Sequence, residues 1–266
     1  MSSDLCQVFQ QLAKRVWRDM SKAKKHNVSF YEETITQNLL LELVSKRIGK
    51  VETKAFTKAE EKTNGADWEI WFCGRTRGIS IRFQAKRLNE KSGKYGALDG
   101  NDQQLETFKC MAIKDKVIPL YLFYNHSGIK KGSSTGSSNN LWGCTVAPVE
   151  VIPNINAPSP SDIDPMFPWH VIFCHPSYFF EQSLYGDDLV DLVADKLKEI
   201  CGGRADQKSE TLSENNPFEP RQTPPEWVNQ LWRMPESDSD REASSGLEQY
   251  LTEKQLGGLL VIRLRE

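Results

Sequence analysis

Two alternating runs, Asp67 to Cys73 and Ile79 to Lys86, are separated only by Gly74-Arg75-Thr76-Arg77-Gly78. A link that short, with glycine at both ends, favours an antiparallel hairpin. Asp102 to about Lys114 then reads as a helix, and Val117 to Tyr124 (VIPLYLFY) as an apolar, aromatic strand of the buried sort. A hairpin followed by a helical crossover predicts a sheet with both antiparallel and parallel neighbours.

The remaining elements fit the same plan. Asp4 to Met20 carries Leu5, Val8, Phe9, Leu12 and Val16 at helical spacing. Ser29 is placed to cap a second helix running to about Arg47, ended by Gly49. Leu141 to Val146, Trp169 to Cys174 and Gly258 to Leu264 read as further strands. Asp187 to Cys201 reads as an acidic amphipathic helix closed by Gly202 and Gly203. Short helices are expected near Trp227 and near Leu247 to Leu251. No internal repeat is visible. The pattern predicts an α/β fold, with a mixed central sheet flanked by helices.

Composition divides the chain further. Residues 128–140 (GIKKGSSTGSSNN) form a flexible loop by composition, and 148–168 a Pro-rich one. The polar, Pro-rich stretch 205–225 reads as a linker between a domain at 1–204 and a C-terminal extension at 226–266. Trp227 and Trp232 in that extension are suited either to docking a partner or to packing on their own domain.

A chain of 266 residues with 38% hydrophobic residues can bury a sizeable core. No run approaches the roughly 18 to 20 apolar residues that a bilayer crossing needs. The start, MSSDLCQVFQQLAKR, lacks the apolar centre of a secretory signal. Six cysteines occur with no CxxC pair, which argues against a disulfide framework and against a four-thiolate zinc site. A cytoplasmic, reducing setting is expected.

The net charge of −2 conceals a division. Residues 1–133 carry 24 Lys and Arg against 15 Asp and Glu, a net of +9. Residues 134–266 carry 10 against 21, a net of −11. Lys14, Arg15, Arg18, Lys22, Lys24 and Lys25, with Arg87, Lys91 and Lys94, read either as a phosphate-tracking surface or as solvated faces. Tyr95, Tyr121 and Tyr124 offer either base stacking or sheet core.

The chemistry converges on the hairpin. Asp67 opens one strand; Gln84 and Lys86 lie on the next, two positions apart and therefore on one face. The hairpin brings that face beside Asp67. A carboxylate, an amide oxygen and a backbone carbonyl (that of Ala85) are hard ligands suited to Mg²⁺ or Mn²⁺. An ammonium beside them can hold an attacking water or stabilise a crowded phosphate. Glu69 shares the strand face of Asp67 and reads as a second acid or an ordinary solvated charge. His170, Cys174 and His175 straddle one strand-like segment and lack a fourth partner, so satisfied or surface histidines are the better reading. No Walker loop, GxSxG elbow, HExxH or GxGxxG occurs.

The series GAD, hairpin, QAK resembles the PD-(D/E)XK nuclease superfamily, the restriction-endonuclease-like fold, over about residues 28–125. The resemblance implies a metal-dependent endonuclease acting on nucleic acid, with DNA the expected polymer. Asp67, Gln84 and the Ala85 carbonyl would hold the metal, and Lys86 would orient water. It implies an upstream helix acid, here Glu32 in preference to Glu33, and a polar neighbour, Gln104. Arg87, Lys91, Lys94, Lys22 and Lys25 would contact nucleic acid. A self-contained nuclease domain with an unusual tail is the layout of bacterial anti-phage effectors, with a homo-oligomer or regulatory partner protein expected. Gln84 stands where such nucleases usually carry glutamate. That departure keeps a second reading open, a nuclease-fold module that binds without cutting.

Overall fold

The computed structural model describes residues 5–46, 51–57, 66–98, 103–126, 139–174, 186–202, 217–220, 228, 249–253 and 256–264. Helix α1 (Leu5–His26) buries Leu5, Val8, Phe9, Leu12, Ala13, Val16 and Met20 along one stripe. It runs beyond the expected end because Lys22, Lys24, Lys25 and His26 complement the negative C-terminal end of the helix dipole. Helix α2 (Glu32–Ser45) follows. Ser29 does not cap it; Tyr31 holds the cap position, with no side-chain cap bond. Glu32 and Glu33 occupy the first turn, where acids favour the exposed N–H groups.

Seven strands make one sheet: β1 (Val51–Thr57), β2 (Ala66–Cys73), β3 (Gly78–Arg87), β4 (Ile118–Tyr124), β5 (Cys144–Pro148), β6 (Phe167–Pro168) and β7 (Leu256–Leu264). Their spatial order is β1-β7-β2-β3-β4-β5-β6. β2 and β3 form the expected antiparallel hairpin. Helix α3 (Gln103–Asp115) carries the chain across to β4, which runs parallel to β3. The sheet is therefore mixed, and helices cover it.

The two faces differ. On one, Ile79, Ile81, Phe83 and Ala85 of β3 pack with α1, α2 and helix α4 (Asp187–Ile200) in the largest apolar cluster. On the other, Tyr121 and Phe123 pack with Leu105 and Phe108 of α3. Trp71 and Cys73 pack there with Val228, Leu251, Leu259 and Val261.

β7 comes from the segment expected as a C-terminal extension, yet it lies inside the sheet. It is antiparallel to β1 and parallel to β2. Its run LLVI is buried on both faces, as suits an interior strand. β1 had no counterpart in the sequence reading, because VETKAFT is the polar, alternating kind of segment that edge strands use. The segment expected as a strand at 169–174 is instead a 3₁₀ helix, Trp169–Phe173. Its apolar residues 169, 172 and 173 recur at three- and four-residue spacing, which suits a helical turn against α1. Phe9 meets Trp169 at 4.6 Å and Phe173 at 4.0 Å, and the Trp169 indole N–H donates to the Phe9 carbonyl at 2.7 Å. Similarly, residues 139–143 form a 3₁₀ turn, and the expected strand begins only at Cys144.

Cys6 and Cys174 form a disulfide across 168 residues of sequence, joining the start of α1 to the end of that 3₁₀ helix. This corrects the expectation from cysteine spacing, which reports local pairs only. Cys73, Cys110, Cys144 and Cys201 are free. The expected flexible loop lies almost wholly outside the described residues, as do Trp227 and Trp232. Among the described residues no helix is long and apolar enough to cross a membrane.

Gly143 shows how closely α1 sits on the turn at 139–143. A Cβ there would stand 2.0 Å from the Ala13 carbonyl oxygen and 2.7 Å from the Trp17 amide nitrogen. Both are backbone atoms of a long helix, which cannot step aside locally. Gly143→Ala is expected to cost about 3 kcal/mol or more of stability, read by denaturant unfolding. A loss under about 0.5 kcal/mol would show that α1 shifts freely.

Candidate active site

Strand β3, GISIRFQAKR, alternates between two chemistries. Its apolar residues face α1, α2 and α4; Ser80, Arg82, Gln84 and Lys86 take the other face. Ser80, Arg82 and Gln84 are 2%, 0% and 1% exposed, and Lys86 is half-buried. Polar side chains on a buried face cost free energy unless something pairs with them, so each partner matters.

Arg82 is ion-paired on both sides, although its Nη1, like Ser80 Oγ on the same face, has no hydrogen bond of good geometry. Its Nε and Nη2 donate to Glu69 Oε2 at 2.9 and 2.8 Å, and its Nη1 lies 2.8 Å from Asp115 Oδ2 at the end of α3. Glu69 Oε1 accepts from the Trp71 indole at 2.5 Å and from the Tyr250 hydroxyl at 3.2 Å. Five residues from β2, β3, α3 and the 249–253 helix thus share one buried network. The sequence reading left Glu69 undecided between an acid and a solvated charge. Its place directly opposite Arg82 in the hairpin register could have revealed the pair.

Gln84 differs. Neither atom of its buried amide has a hydrogen-bond partner. Such a group is rare, because burial removes water and nothing replaces it. The hairpin pairs Trp68 with Phe83, so the next positions in register are Asp67 and Gln84. β4 sets Tyr121 beside Gln84 and Phe123 beside Lys86. Lys86 forms no ion pair with any described residue. The backbone of Asp67 lies in β2, and its side chain lies outside the described residues.

This donor set fits a hard cation. The Gln84 carboxamide oxygen is buried and free to coordinate, and one carboxylate position stands opposite it. Mg²⁺ keeps several waters and needs only one or two protein carboxylates. Among the described residues no three His, Cys, Asp or Glu side chains gather, so such a site would rest on mixed donors. Ala85 turns its methyl into the core on the opposite face, leaving only its backbone to the site.

The other expected residues are placed less closely. Glu32 is half-buried and Glu33 exposed, in keeping with Glu32 as the inward acid. Their helix nevertheless packs on the face opposite Gln84. Thr36, one turn on, meets the Tyr124 hydroxyl at 2.8 Å, and Tyr124 belongs to the α1/α2 cluster. The structure therefore does not bring Glu32 to the face that carries Gln84 and Lys86. Gln104 is exposed in the first turn of α3. Arg87 is ion-paired with Glu90; Lys91, Lys94, Lys22 and Lys25 are exposed.

Tyr95 cannot stack on a base. It is fully buried, and its hydroxyl donates to Asn125 Oδ1 at 2.6 Å. Tyr121 and Tyr124 are core. Cys174 is consumed by its disulfide, and His175 lies outside the described residues. His170 is buried with Nδ1 unpartnered. Burial first, then the nearby charge of Lys14, pushes its pKa down to about 4. The folded chain therefore refuses a proton that the unfolded chain accepts at about pH 6.5, so stability falls as pH drops from there to about 4. The loss reaches about 3 kcal/mol. Urea unfolding at pH 7 and 4.5 should show His170→Gln losing less than the parent chain; equal losses would refute the assignment.

Fold and site together define an α/β protein with a mixed sheet, one strand of which buries a polar face beside a carboxylate position. The chain belongs to DUF6615, a family of unknown function whose model matches residues 5–266. No curated protein and no solved structure matches it.

Proposed function

We propose that this protein is a divalent-metal-dependent phosphodiesterase that cuts nucleic acid, with DNA as the substrate. One observation carries the reading: a buried Gln84 amide with no hydrogen-bond partner, in register with Asp67 and two residues from Lys86, which has no ion pair with any described residue. A structural role explains Arg82 and Glu69 but leaves Gln84 costly and unexplained. A ligand at that point would supply the missing partner.

Asp67, Gln84 and the Ala85 carbonyl would hold Mg²⁺ or Mn²⁺, which supplies Lewis-acid charge to a phosphate oxygen when bound. Lys86, on the same face, orients water for in-line attack and offsets charge developing on the phosphate. The half-buried setting of Lys86 strengthens its field relative to water. Phe123 and Tyr121 wall the site from the β4 side. A role in anti-phage defence rests on the resemblance to restriction-endonuclease-like effectors alone and belongs to this proposal.

The test is plasmid cleavage with Mg²⁺ or Mn²⁺, comparing the parent chain with Asp67→Ala and Lys86→Ala. Metal-dependent cutting that survives both substitutions places the activity elsewhere. A second reading, a module that binds nucleic acid without cutting, is favoured by glutamine at 84, which withholds one negative charge from the metal. Salt-sensitive DNA binding without turnover, under either metal, would select it.

A further inference from the structure

The exposed face of α1 carries Lys14, Arg18, Lys22 and Lys25. At 100° per residue these four fall within about an 80° stripe, opposite the buried one. They line a groove of about 650 Å³ together with Trp17 and, from the 139–143 turn, Asn140. Gly143 makes the groove possible by letting the 139–143 turn rest on the α1 backbone. Lys14, Lys22 and Lys25 form no ion pair with any described residue, whereas Arg15 is committed to Glu42 and Asp19. Arg18 contacts Asp19 at 3.0 Å and stays largely exposed. A row of cations of which three have no ion-pair partner among the described residues, set along a concave surface, is suited to attract an anion.

Spacing decides what kind. Successive cations lie one helical turn apart, about 6 Å, and the row spans about 16 Å. A small anion needs donors that converge on a point; these are strung along a line. A line of that length matches about five phosphates of one strand of a duplex. Trp17, half-buried beside the row, presents an apolar surface to a sugar or base.

We propose that this groove binds the sugar-phosphate backbone of nucleic acid, and that it is a second contact separate from the Asp67–Gln84–Lys86 face. The end of α1 lies against the chain just beyond β4. The Ser21 hydroxyl donates to the His126 carbonyl at 3.1 Å, just beyond β4. His126 in turn feels the charges of Lys24, Glu90 and Arg87. The groove therefore ends beside the C-terminal end of β4, on the α1 side of the sheet and away from the face that carries Lys86. The inference rests on the nuclease reading only for the polymer's fate, not for its binding.

The experiment is fluorescence anisotropy with a labelled 20-base-pair duplex and a 20-nucleotide single strand, in EDTA so that nothing is cut. Lys14→Glu/Arg18→Glu/Lys22→Glu is compared with the parent chain and with Lys109→Glu/Lys114→Glu/Lys116→Glu, which changes charge equally on α3 and the residue that follows it. The groove variant should bind at least tenfold more weakly at low salt. Its slope of log affinity against log salt should fall by about 3, one per lost phosphate contact. The α3 variant should keep most of the parent's slope. Equal slopes for the two variants, or unchanged binding by the groove variant, overturn the proposal. If the triple change unfolds the chain, Lys14→Glu and Lys22→Glu singly should each lower the slope by about 1. Binding lost in the groove variant while the parent never cleaves removes the nuclease reading and keeps the groove. Cleavage lost in Lys86→Ala while the groove variant binds as tightly as the parent removes the groove and keeps the nuclease reading.

Discussion

Gln84→Met is expected to make the protein more stable in EDTA and, on the proposed function, to lower its nuclease activity. Methionine matches glutamine in length and removes both orphaned polar atoms from a position only 1% exposed. Relieving an unsatisfied buried amide stabilises by about 1 to 3 kcal/mol. On the proposed function the same change deletes a metal ligand, and DNA cleavage should then drop by about a hundredfold or more, as when one transition-state donor is removed. Gln84→Glu should move the other way in metal dependence: a second carboxylate saturates at lower Mg²⁺, while burying a charge destabilises the metal-free chain. Chemical denaturation in EDTA and cleavage against Mg²⁺ concentration read both effects. A Gln84→Met protein that is less stable and equally active would show that the amide has a structural partner and no catalytic one.

Glu69→Ala should be the most damaging single substitution in the sheet. It leaves the Arg82 guanidinium at 0% exposure with only Asp115, and strips Trp71 and Tyr250 of their acceptor. Breaking a buried pair from one side costs about 3 to 5 kcal/mol, because the remaining charge is uncompensated. For a chain of this size that is roughly a 6 to 20 °C fall in Tm. The double change Glu69→Leu/Arg82→Met should recover part of the loss, since removing both charges removes the desolvation cost as well. Calorimetry of the three variants decides it. A double variant no better than the single one would mean the network holds the C-terminal segment by geometry rather than charge.

That network also explains why the C-terminal segment is not an appendage. Tyr250 reaches Glu69 from a helix that leads directly into β7, and β7 fills the position between β1 and β2. Sequence order suggested a linker and an extension, because Pro-rich polar residues separate 226–266 from everything before. Linker composition reports how a segment solvates itself, and carries no information about which sheet edge the following strand will fill.

Local signals were readable where one physical cause dominated. The hairpin followed from a five-residue turn between two strand-like runs, and the buried β4 from VIPLYLFY. The common face of Gln84 and Lys86 followed from two-residue periodicity. The pair Glu69–Arg82 was equally open to reading, since the hairpin register sets them opposite, but it needed register and charge to be considered together. Trp169–Phe173 was misread as a strand because a short apolar run satisfies either period until its packing partner, α1, is known.

The sequence by itself determined the α/β class, the hairpin, and a strand with one apolar and one polar face, because these depend on neighbours along the chain. Only the tertiary structure decided that the polar face is buried, that Arg82 is paired while Gln84 is not, that Cys6 meets Cys174, and that α2 lies on the face away from Gln84. Each of those is a meeting of residues distant in sequence, set by which surfaces exclude water together.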